Sequence, residues 1–113
     1  MKINYHGRKF RGTENTANGQ VSGATVFTYS QSGSILQATY SGGSILQGQM
    51  LGVVHEDNRL SFLYHHIDSD GHLRNGYCRS IPELLPDGGI RLHEKWEWSY
   101  GGEGKGESVE EEF

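Results

Sequence analysis

The sequence contains little cysteine and proline, and it has no long apolar run. One cysteine, Cys78, among 113 residues excludes an internal disulfide and is typical of a reducing compartment. The first residues, MKINY, lack the apolar segment of a secretory signal peptide, and no apolar run approaches the length of a membrane-spanning helix. We therefore expect a cytoplasmic protein that makes no contact with a membrane.

Excess positive charge is also missing. The formal net charge is -4 at pH 7, which gives no electrostatic attraction to nucleic acid or to an anionic surface. Acidic residues gather in Glu107–Glu112, where they repel one another unless they are paired. The length of the chain predicts a single domain over residues 1–113.

Helical spacing is absent except at Ser80–Pro86, where Pro82 would fit the first turn of a helix. Seventeen glycines instead separate short alternating runs, a pattern that indicates an antiparallel all-β meander. We predict eight strands, which cover Lys2–Thr13, Ala24–Gln31, Ser34–Ser41, Ser44–Glu56, Leu60–Asp68, His72–Ile81, Ile90–Tyr100 and Glu107–Phe113.

The strand Ile90–Tyr100 has the clearest alternation in the chain. Every second residue from Ile90 is apolar except Glu94, and the residues between them are all polar. Because successive strand residues face opposite sides, one face is apolar and carries a single carboxylate. A carboxylate that points into a core needs a partner or a function, so Glu94 is a candidate site residue.

Turn geometry predicts which other residues share that inner face. A two-residue turn at Asp70-Gly71 would pair Tyr64 with Tyr77 and His66 with Asn75. Turns at Ser32-Gly33 and Ser41–Gly43 orient the earlier strands in the same way. The rest of the predicted inner face is Thr25, Phe27, Tyr29, Leu36, Ala38, Tyr40, Leu46, Gly48, Met50, Gly52, Val54, Leu60, Phe62, Arg79, Leu92, Trp96 and Trp98.

A sheet of eight strands with one apolar face can close on itself, and closure removes the unpaired edges. Such a barrel has room inside for side chains or for one small ligand. The architecture resembles the calycin group of barrels, which includes lipocalins, fatty-acid-binding proteins and avidins. We predict an all-β, eight-stranded antiparallel up-and-down barrel with at most one short helical turn.

Seven segments carry a further resemblance: Asn4-Tyr5-x-Gly7-Arg8, Ala38–Gly43, Tyr64–Ile67, Gly76–Cys78, Pro82-Glu83, Leu85–Gly88 and Arg91–Trp98. They resemble a family of short, uncharacterised bacterial proteins, some of which carry the label N-acetylglutamate synthase. The resemblance implies a bacterial origin. An acetyltransferase of the usual kind has alternating helices and strands and a glycine-rich turn that binds pyrophosphate at a helix N-terminus. The sequence predicts neither feature.

Polar groups on the predicted inner face indicate a ligand cavity with aromatic walls. Arg79 or His66 would hold an acidic or polar group of the ligand, because a planar guanidinium fits a carboxylate. In the alternative interpretation, Arg79 and Glu94 form a buried ion pair inside a filled barrel. The predicted ligand-binding residues are Tyr64, His66, Asn75, Tyr77, Arg79, Glu94, Trp96 and Trp98.

The sequence favours a non-enzymatic barrel that binds a small polar or acidic molecule. Two alternatives stay open: an enzyme with His66 and Glu94 as acid and base, and a packed structural barrel without a ligand. We expect no metal or other cofactor, because no histidine pair has a zinc spacing and Cys78 has no second thiol nearby. The protein is expected to be a monomer or a homodimer, with Cys78, Leu63 and Ile67 on an outer contact face.

Overall fold

The computed structural model describes residues 2–113 and confirms a closed, antiparallel barrel of eight strands. Each strand pairs with its neighbours in sequence, and β1 pairs with β8. Within residues 2–113, no helix has the length and apolar character needed to cross a membrane. The strands are β1 (Lys9–Asn15), β2 (Val26–Ser32), β3 (Ile35–Gly42), β4 (Ile45–Val54), β5 (Leu60–Asp68), β6 (Leu73–Leu84), β7 (Ile90–Tyr100) and β8 (Lys105–Glu112).

The first strand is shorter than predicted. It begins at Lys9, because residues 2–8 fold across one end of the barrel instead of extending the sheet. Ile3 and Tyr5 are buried there, and the Tyr5 hydroxyl donates a hydrogen bond of 2.7 Å to the Asn58 carbonyl oxygen. This segment closes the barrel end with an apolar and an aromatic side chain.

Ser80–Pro86, the one segment where a helical turn was considered, forms none, because β6 continues through Pro82. The expected all-β barrel with at most one short helical turn is confirmed. Pro82 pairs with Leu92 of β7, whereas the pairing of β5 with β6 ends at Leu60 and Ser80. Beyond Ser80, β6 therefore has a neighbour on one side only. Proline is tolerated at such a position, since its missing N–H removes no bond between strands.

The turn between β5 and β6 contains three residues, Ser69–Gly71, and not two. The Asp68 N–H donates to the His72 carbonyl oxygen over 3.0 Å, which closes the longer turn. One extra residue moves every β6 side chain to the other face of the sheet. The predicted inward positions are therefore wrong for three residues, whose side chains lie outside the barrel: Asn75, Tyr77 and Arg79.

The same shift brings two other β6 side chains inside. Cys78 is 2% exposed and Ser80 is 1% exposed, and both belong to the inner wall. The expected outer position of Cys78 is wrong for this reason. Its register partner on β5 is Phe62, which also faces the interior.

A β-bulge at the start of β4 explains one further difference. Ile45 and Gln47 pair with neighbouring residues of β5, so Leu46 is an extra residue in the strand. The predicted inward position of Leu46 is wrong, because it is 60% exposed while Ile45 is buried. The predicted inner face of β2–β5 is otherwise confirmed, with Phe27, Tyr29, Leu36, Ala38, Tyr40, Gly48, Met50, Leu60 and Phe62 all buried.

The two ends of the barrel differ. We call the end with the β1–β2 loop (residues 16–25) the upper end, and the end covered by residues 2–8 the lower end. The lower half is filled by apolar and aromatic side chains, whereas buried polar groups gather in the upper half. The side chains of the lower half include Ile3, Tyr5, Phe10, Leu36, Leu60, Ile90 and Leu92, each at most 8% exposed.

Candidate functional site

A cavity of about 40 Å³ lies inside the upper half of the barrel. This volume has room for a few water molecules, whereas a pocket for a drug-sized ligand typically measures roughly 300–1,000 Å³. The β1–β2 loop limits the volume, since three of its residues form part of the wall. The cavity is lined by Asn15, Gly19, Gln20, Val21, Phe27, Tyr40, Phe62, Tyr64, His66, Cys78, Glu94, Trp96, Trp98, Ser108 and Glu110.

Five of the predicted ligand-binding residues line this cavity, and three do not. The three that lie outside, Asn75, Tyr77 and Arg79, belong to the shifted register of β6. The interior therefore lacks the guanidinium that was expected to hold an acidic group. The role of the other five in binding stays a prediction, and they are Tyr64, His66, Glu94, Trp96 and Trp98.

His66 lies at the centre of the polar side of the cavity and is 3% exposed. Its Nδ1 lies 2.8 Å from the Tyr40 hydroxyl, and its Nε2 lies 2.7 Å from Oε1 of Gln20. Burial lowers the pKa of His66 to about 4, and the nearby charge of Arg74 adds to this effect. The ring is therefore neutral at pH 7.

Gln20 determines which ring nitrogen of His66 carries the proton. The Gln20 amide nitrogen donates to Oδ2 of Asp68 over 3.1 Å, so Gln20 Oε1 faces His66. An amide oxygen only accepts, and Nε2 of His66 is therefore the donor. The other ring nitrogen, Nδ1, then accepts from the Tyr40 hydroxyl.

Asp68 ends β5 and anchors this polar group. Its Oδ1 accepts from the backbone N–H groups of Asp70 and His72, each over 3.0 Å, and its Oδ2 accepts from Arg74 Nε over 3.1 Å. The backbone hydrogen bond from His72, with the bond from Gln20, lowers the pKa of Asp68 to about 2. Asp68 is therefore charged at neutral pH.

Ligand atoms of Asp68, Asp70 and His72 lie within 4.8 Å of one another, as they would around a cation. Both carboxylate oxygens of Asp68 are already hydrogen-bonded, one of them to two backbone N–H groups. Its Oδ2 also forms an ion pair with Arg74. These contacts stabilise the turn after β5 and leave Asp68 little capacity to bind a metal.

Two tryptophans form the aromatic wall of the cavity and hold the β1–β2 loop. The rings of Trp96 and Trp98 lie 5.5 Å apart, and Tyr64 contacts Trp98 at 5.7 Å. Trp96 Nε1 donates to Oδ1 of Asn15, and Trp98 Nε1 donates to the carbonyl oxygen of Asn18, both over 3.1 Å. The end of β1 and the loop that follows it are thus bonded to the same side chains that would contact a ligand.

Glu94 and Glu110 form a buried carboxyl pair below the tryptophans, with exposures of 5% and 2%. Ser80 and Ser108 donate to the two oxygens of Glu94, over 2.5 and 3.2 Å, and Tyr29 donates to Glu110 over 3.5 Å. Burial raises the pKa of both carboxyl groups, and the charge of Glu94 raises that of Glu110 further. Both shifts favour the uncharged form of the pair, and the effect is larger for Glu110.

The remaining ionisable groups of the cavity are neutral. Burial raises the pKa of the Cys78 thiol and of the Tyr40 and Tyr64 hydroxyls. A protonated thiol is a poor nucleophile, so Cys78 is a packing residue here. Neither nitrogen of His66 bonds to a nucleophile activated for attack, since one meets a phenol and the other an amide oxygen.

A larger depression of about 990 Å³ lies on the outer side of β5–β8, among side chains such as Arg79, His93 and Lys95. Its walls are largely solvent-exposed side chains that diverge from the barrel. Sites for small molecules usually bury most of the ligand surface. The cavity inside the barrel, whose lining residues are buried or half-buried, is therefore the better candidate despite its smaller volume.

Sequence reasoning missed several residues of the cavity. Gln20 lies in a loop, where no periodicity indicates the direction of a side chain. Glu110 lies among three consecutive glutamates, and only closure of β8 against β1 and β7 distinguishes it from its neighbours. Ser80 was expected on the face opposite His66, an error that followed from the predicted turn.

Comparison with known proteins gives one clear relationship. Residues 3–113 match the family model described as avidin-like protein. No curated protein and no solved structure matches the chain. The family match covers nearly the whole sequence and agrees with the closed eight-stranded barrel. The chain belongs to the avidin-like protein family.

Proposed function

We propose that the protein binds a small, neutral, polar molecule in the upper half of its barrel. The carboxamide of Gln20 carries this proposal, because it lies between His66 and Asp68 as a ligand group would. Its oxygen accepts from His66 and its nitrogen donates to Asp68. A ligand with a hydrogen-bond acceptor next to a donor can take the place of the Gln20 side chain. Its acceptor would bond to His66 and its donor to Asp68, so neither residue would lose a hydrogen bond.

The charges around the cavity favour a neutral ligand. The lining contains the carboxyl groups of Glu94 and Glu110 and no lysine or arginine. Arg74 is near, but its Nε is bonded to Asp68 and its guanidinium lies 5.3 Å above the ring of Trp98. An acidic ligand would therefore enter without a free cation to pair with, which costs binding energy.

Entry requires movement of the β1–β2 loop, because about 40 Å³ is too small for most metabolites. Opening the part of the loop around Gln20 breaks the hydrogen bonds from Trp98 to the Asn18 carbonyl oxygen and from Ser44 to the Gln20 carbonyl oxygen, while bonds at Thr16 and Thr25 can still hold its two ends. Each such bond contributes roughly 1 kcal/mol, so a ligand with aromatic contacts can offset the loss of the two that break.

Membership in the avidin-like family supports a ligand role for the interior, since barrels of this family bind small molecules. The aromatic wall of Trp96, Trp98 and Tyr64 also supports it. A few polar groups that converge opposite an aromatic wall are typical of small-molecule sites. The ligand would lie between this wall and His66.

Tryptophan fluorescence tests the proposal directly. Neutral cyclic amides and ureas, such as 2-pyrrolidinone and 2-imidazolidinone, should change the emission of Trp96 and Trp98, whereas acetate and butyrate should not. Gln20→Ala removes the internal competitor and should tighten binding of the neutral probes by about tenfold, the equivalent of one hydrogen bond. His66→Ala should abolish the response.

Two variants provide matched controls. Asn18→Ala removes a carboxamide from the same loop that faces Lys105 rather than the cavity, and it should leave probe binding unchanged. Arg79→Ala should also have no effect, because Arg79 lies outside the barrel. A response to carboxylates alone, or no response to neutral probes in either the wild type or Gln20→Ala, would contradict the proposal.

A further inference from the structure

A serine and a histidine are in hydrogen-bond contact on the outside of the barrel, near its lower end. Ser61 is the second residue of β5 and points outward, and His55 directly follows β4 in the turn that leads to β5. His55 Nε2 lies 2.8 Å from the Ser61 hydroxyl oxygen. At this distance an imidazole can take the proton of a serine nucleophile. Both side chains line the outer depression of about 990 Å³.

The backbone that carries these two side chains is fixed. The His55 N–H donates to the Arg59 carbonyl oxygen over 2.8 Å, and the Asn58 N–H donates to the His55 carbonyl oxygen over 3.0 Å. Oδ1 of Asn58 accepts from the N–H of Ile3 over 2.8 Å, which joins the turn to the segment that closes the lower end. Ser61 lies within the sheet, between β4 and β6. The imidazole and the hydroxyl therefore keep their relative position without a bound molecule.

Two cations continue the row of outward residues that contains Ser61. Arg79 of β6 is directly opposite Ser61, and Lys95 of β7 is directly opposite Arg79. Like charges in directly opposed positions repel each other. Among residues 2–113, neither Arg79 nor Lys95 forms an ion pair or a side-chain hydrogen bond. An anion bound beside Ser61 would relieve the repulsion between the two cations.

The first carboxylate of the same row lies beyond the cations. Glu107 of β8 is opposite Lys95, on the side away from Ser61. Two further acids of the depression, Glu56 and Asp57, belong to the turn before β5 and not to this row. Along the row, the hydroxyl is therefore next to positive charge.

We propose that His55 and Ser61 form a catalytic dyad that hydrolyses small esters carrying a carboxylate. Arg79 lies beside the hydroxyl, where the ester carbonyl oxygen becomes negative during attack, and its guanidinium would stabilise that charge. Lys95 is one strand farther away, by about 4.8 Å, and would hold the carboxylate of the substrate. Short monoesters of dicarboxylic acids such as succinate have their two acyl groups at a comparable separation.

Each step of the reaction uses atoms of the dyad, the ester and water. The Ser61 oxygen attacks the ester carbonyl carbon, and the hydroxyl proton moves to His55 Nε2, which accepts it when the ring proton is on Nδ1. The bond between the carbonyl carbon and the alcohol oxygen then breaks, and the alcohol leaves with the proton from His55. Water attacks the acyl-serine by the same route, which releases the acid and restores Ser61.

This site is separate from the proposed ligand cavity. Ser61 points away from the interior, whereas its neighbours Leu60 and Phe62 are buried. The reaction requires no movement of the β1–β2 loop, so Gln20→Ala should leave it unchanged. An open depression buries little of a substrate, and we therefore expect a KM of about 1 mM, at the upper end of the usual range.

Release of para-nitrophenol from its succinate monoester, with its acetate ester as the neutral comparison, tests the proposal on the full chain. The wild type should hydrolyse the succinate monoester faster than the acetate ester, and faster than free imidazole at the same concentration of histidine rings. Ser61→Ala and His55→Ala should each lower kcat/KM by about 100-fold, as loss of general base catalysis does. Peptide mapping by mass spectrometry should find the succinyl group on Ser61.

Variants of the two cations separate catalysis from recognition of the substrate. Arg79→Ala should lower kcat/KM by about tenfold for both esters, because the tetrahedral oxyanion forms with either one. Lys95→Ala should lower it by about threefold to fivefold for the succinate monoester alone, since only that substrate carries a carboxylate.

His65→Ala is the matched control. His65 is also an exposed histidine of β5, but its Nε2 bonds to the Gln49 side chain at 3.2 Å and not to a serine, so its loss should leave hydrolysis unchanged. Circular dichroism should show native strand content in all variants. The proposal would be overturned by a wild type no faster than imidazole, by hydrolysis that survives in Ser61→Ala, or by equal losses in His65→Ala and His55→Ala. An acetate ester that reacts as fast as the succinate monoester would overturn it as well.

Discussion

Glu94 of β7 and Glu110 of β8 bring two carboxyl groups together inside the barrel. Glu110 is in register with Leu92, and Glu94 is in register with Ser108, so the two carboxyl groups meet diagonally across neighbouring strands. Burial and the charge of Glu94 both raise the pKa of Glu110, because neighbouring buried carboxylates without a cation repel each other. The interior at the base of the cavity is therefore an acid pair with serine donors and not the ion pair with Arg79 that the sequence suggested.

The first prediction concerns the effect of pH on this pair. The pKa of Glu110 is raised above its ordinary value of 4.5 in the folded chain. When the pH rises above 4.5, the unfolded chain therefore loses a proton that the folded chain keeps. The contribution of the pair to stability is therefore complete below 4.5 and falls as pH rises, by about 1.4 kcal/mol per pH unit for one proton. Glu110→Gln mimics the protonated side chain and does not titrate. It should be more stable than the wild type near pH 8, by about 1–3 kcal/mol in urea unfolding.

Glu111→Gln is the control for this experiment. Glu111 points outward and pairs with Arg91 at 2.6 Å, so its amide variant should lose at most about 1 kcal/mol and gain nothing at high pH. Equal pH slopes for the wild type and Glu110→Gln would show that the carboxyl pair does not retain its proton.

The closed barrel and the inner face of β7 were predictable, because the alternation of polar and apolar residues is visible within single strands and recurs in several of them. In Ile90–Tyr100, polar and apolar residues alternate so strictly that only one register buries the apolar set. The β6 segment has no such preference. Cys78 and Ser80 on one face are no more apolar than Tyr77 and Ile81 on the other, so turn length alone decides the face. Asp70-Gly71 is compatible with both a two-residue and a three-residue turn.

Some residues of the candidate site could be predicted from alternation along a strand, and others could not. Trp96 and Trp98 follow from the alternation of β7, whereas Gln20 depends on how the β1–β2 loop folds over the upper end. The acid pair requires contact between strands that only barrel closure brings together, since β8 must lie between β7 and β1. A pattern read along the chain gives the face of a residue, but it does not identify its neighbours across strands.

The second prediction concerns the protonation of His66. Its pKa of about 4 lies below the ordinary 6.5, so the unfolded chain binds a proton between these values that the folded chain excludes. This contribution to stability is complete above 6.5 and is lost as pH falls towards 4. Nitrogen-detected NMR should show a neutral ring with the proton on Nε2 throughout this range. Gln20→Ala admits water and should raise the pKa towards 6.5, whereas Asn18→Ala should not.

The same NMR measurement on His66 can contradict this prediction. A wild-type ring that titrates near 6.5, or one that carries its proton on Nδ1, would show that the bonds to Gln20 and Tyr40 are not maintained in solution. The proposed recognition of an acceptor group by His66 requires the donor at Nε2, so the same spectrum also tests the binding chemistry.

The third prediction concerns Gly48, whose missing side chain makes room for the ring of Tyr40 on the neighbouring strand. A Cβ at Gly48 would overlap ring carbons of Tyr40. The ring cannot turn aside easily, because it stacks on Phe27 at 4.8 Å and its hydroxyl bonds to His66. Gly48→Ala should therefore lower the free energy of unfolding in urea by about 2–4 kcal/mol and shift the His66 resonances.

Gly23→Ala is the control for this variant. The atom nearest to a Cβ at Gly23 is the Gly12 carbonyl oxygen, at 3.6 Å, so the substitution should change stability by less than about 1 kcal/mol. Equal stability of the two variants would mean that the Tyr40 ring is free to move, and the polar group around His66 would then lack its support.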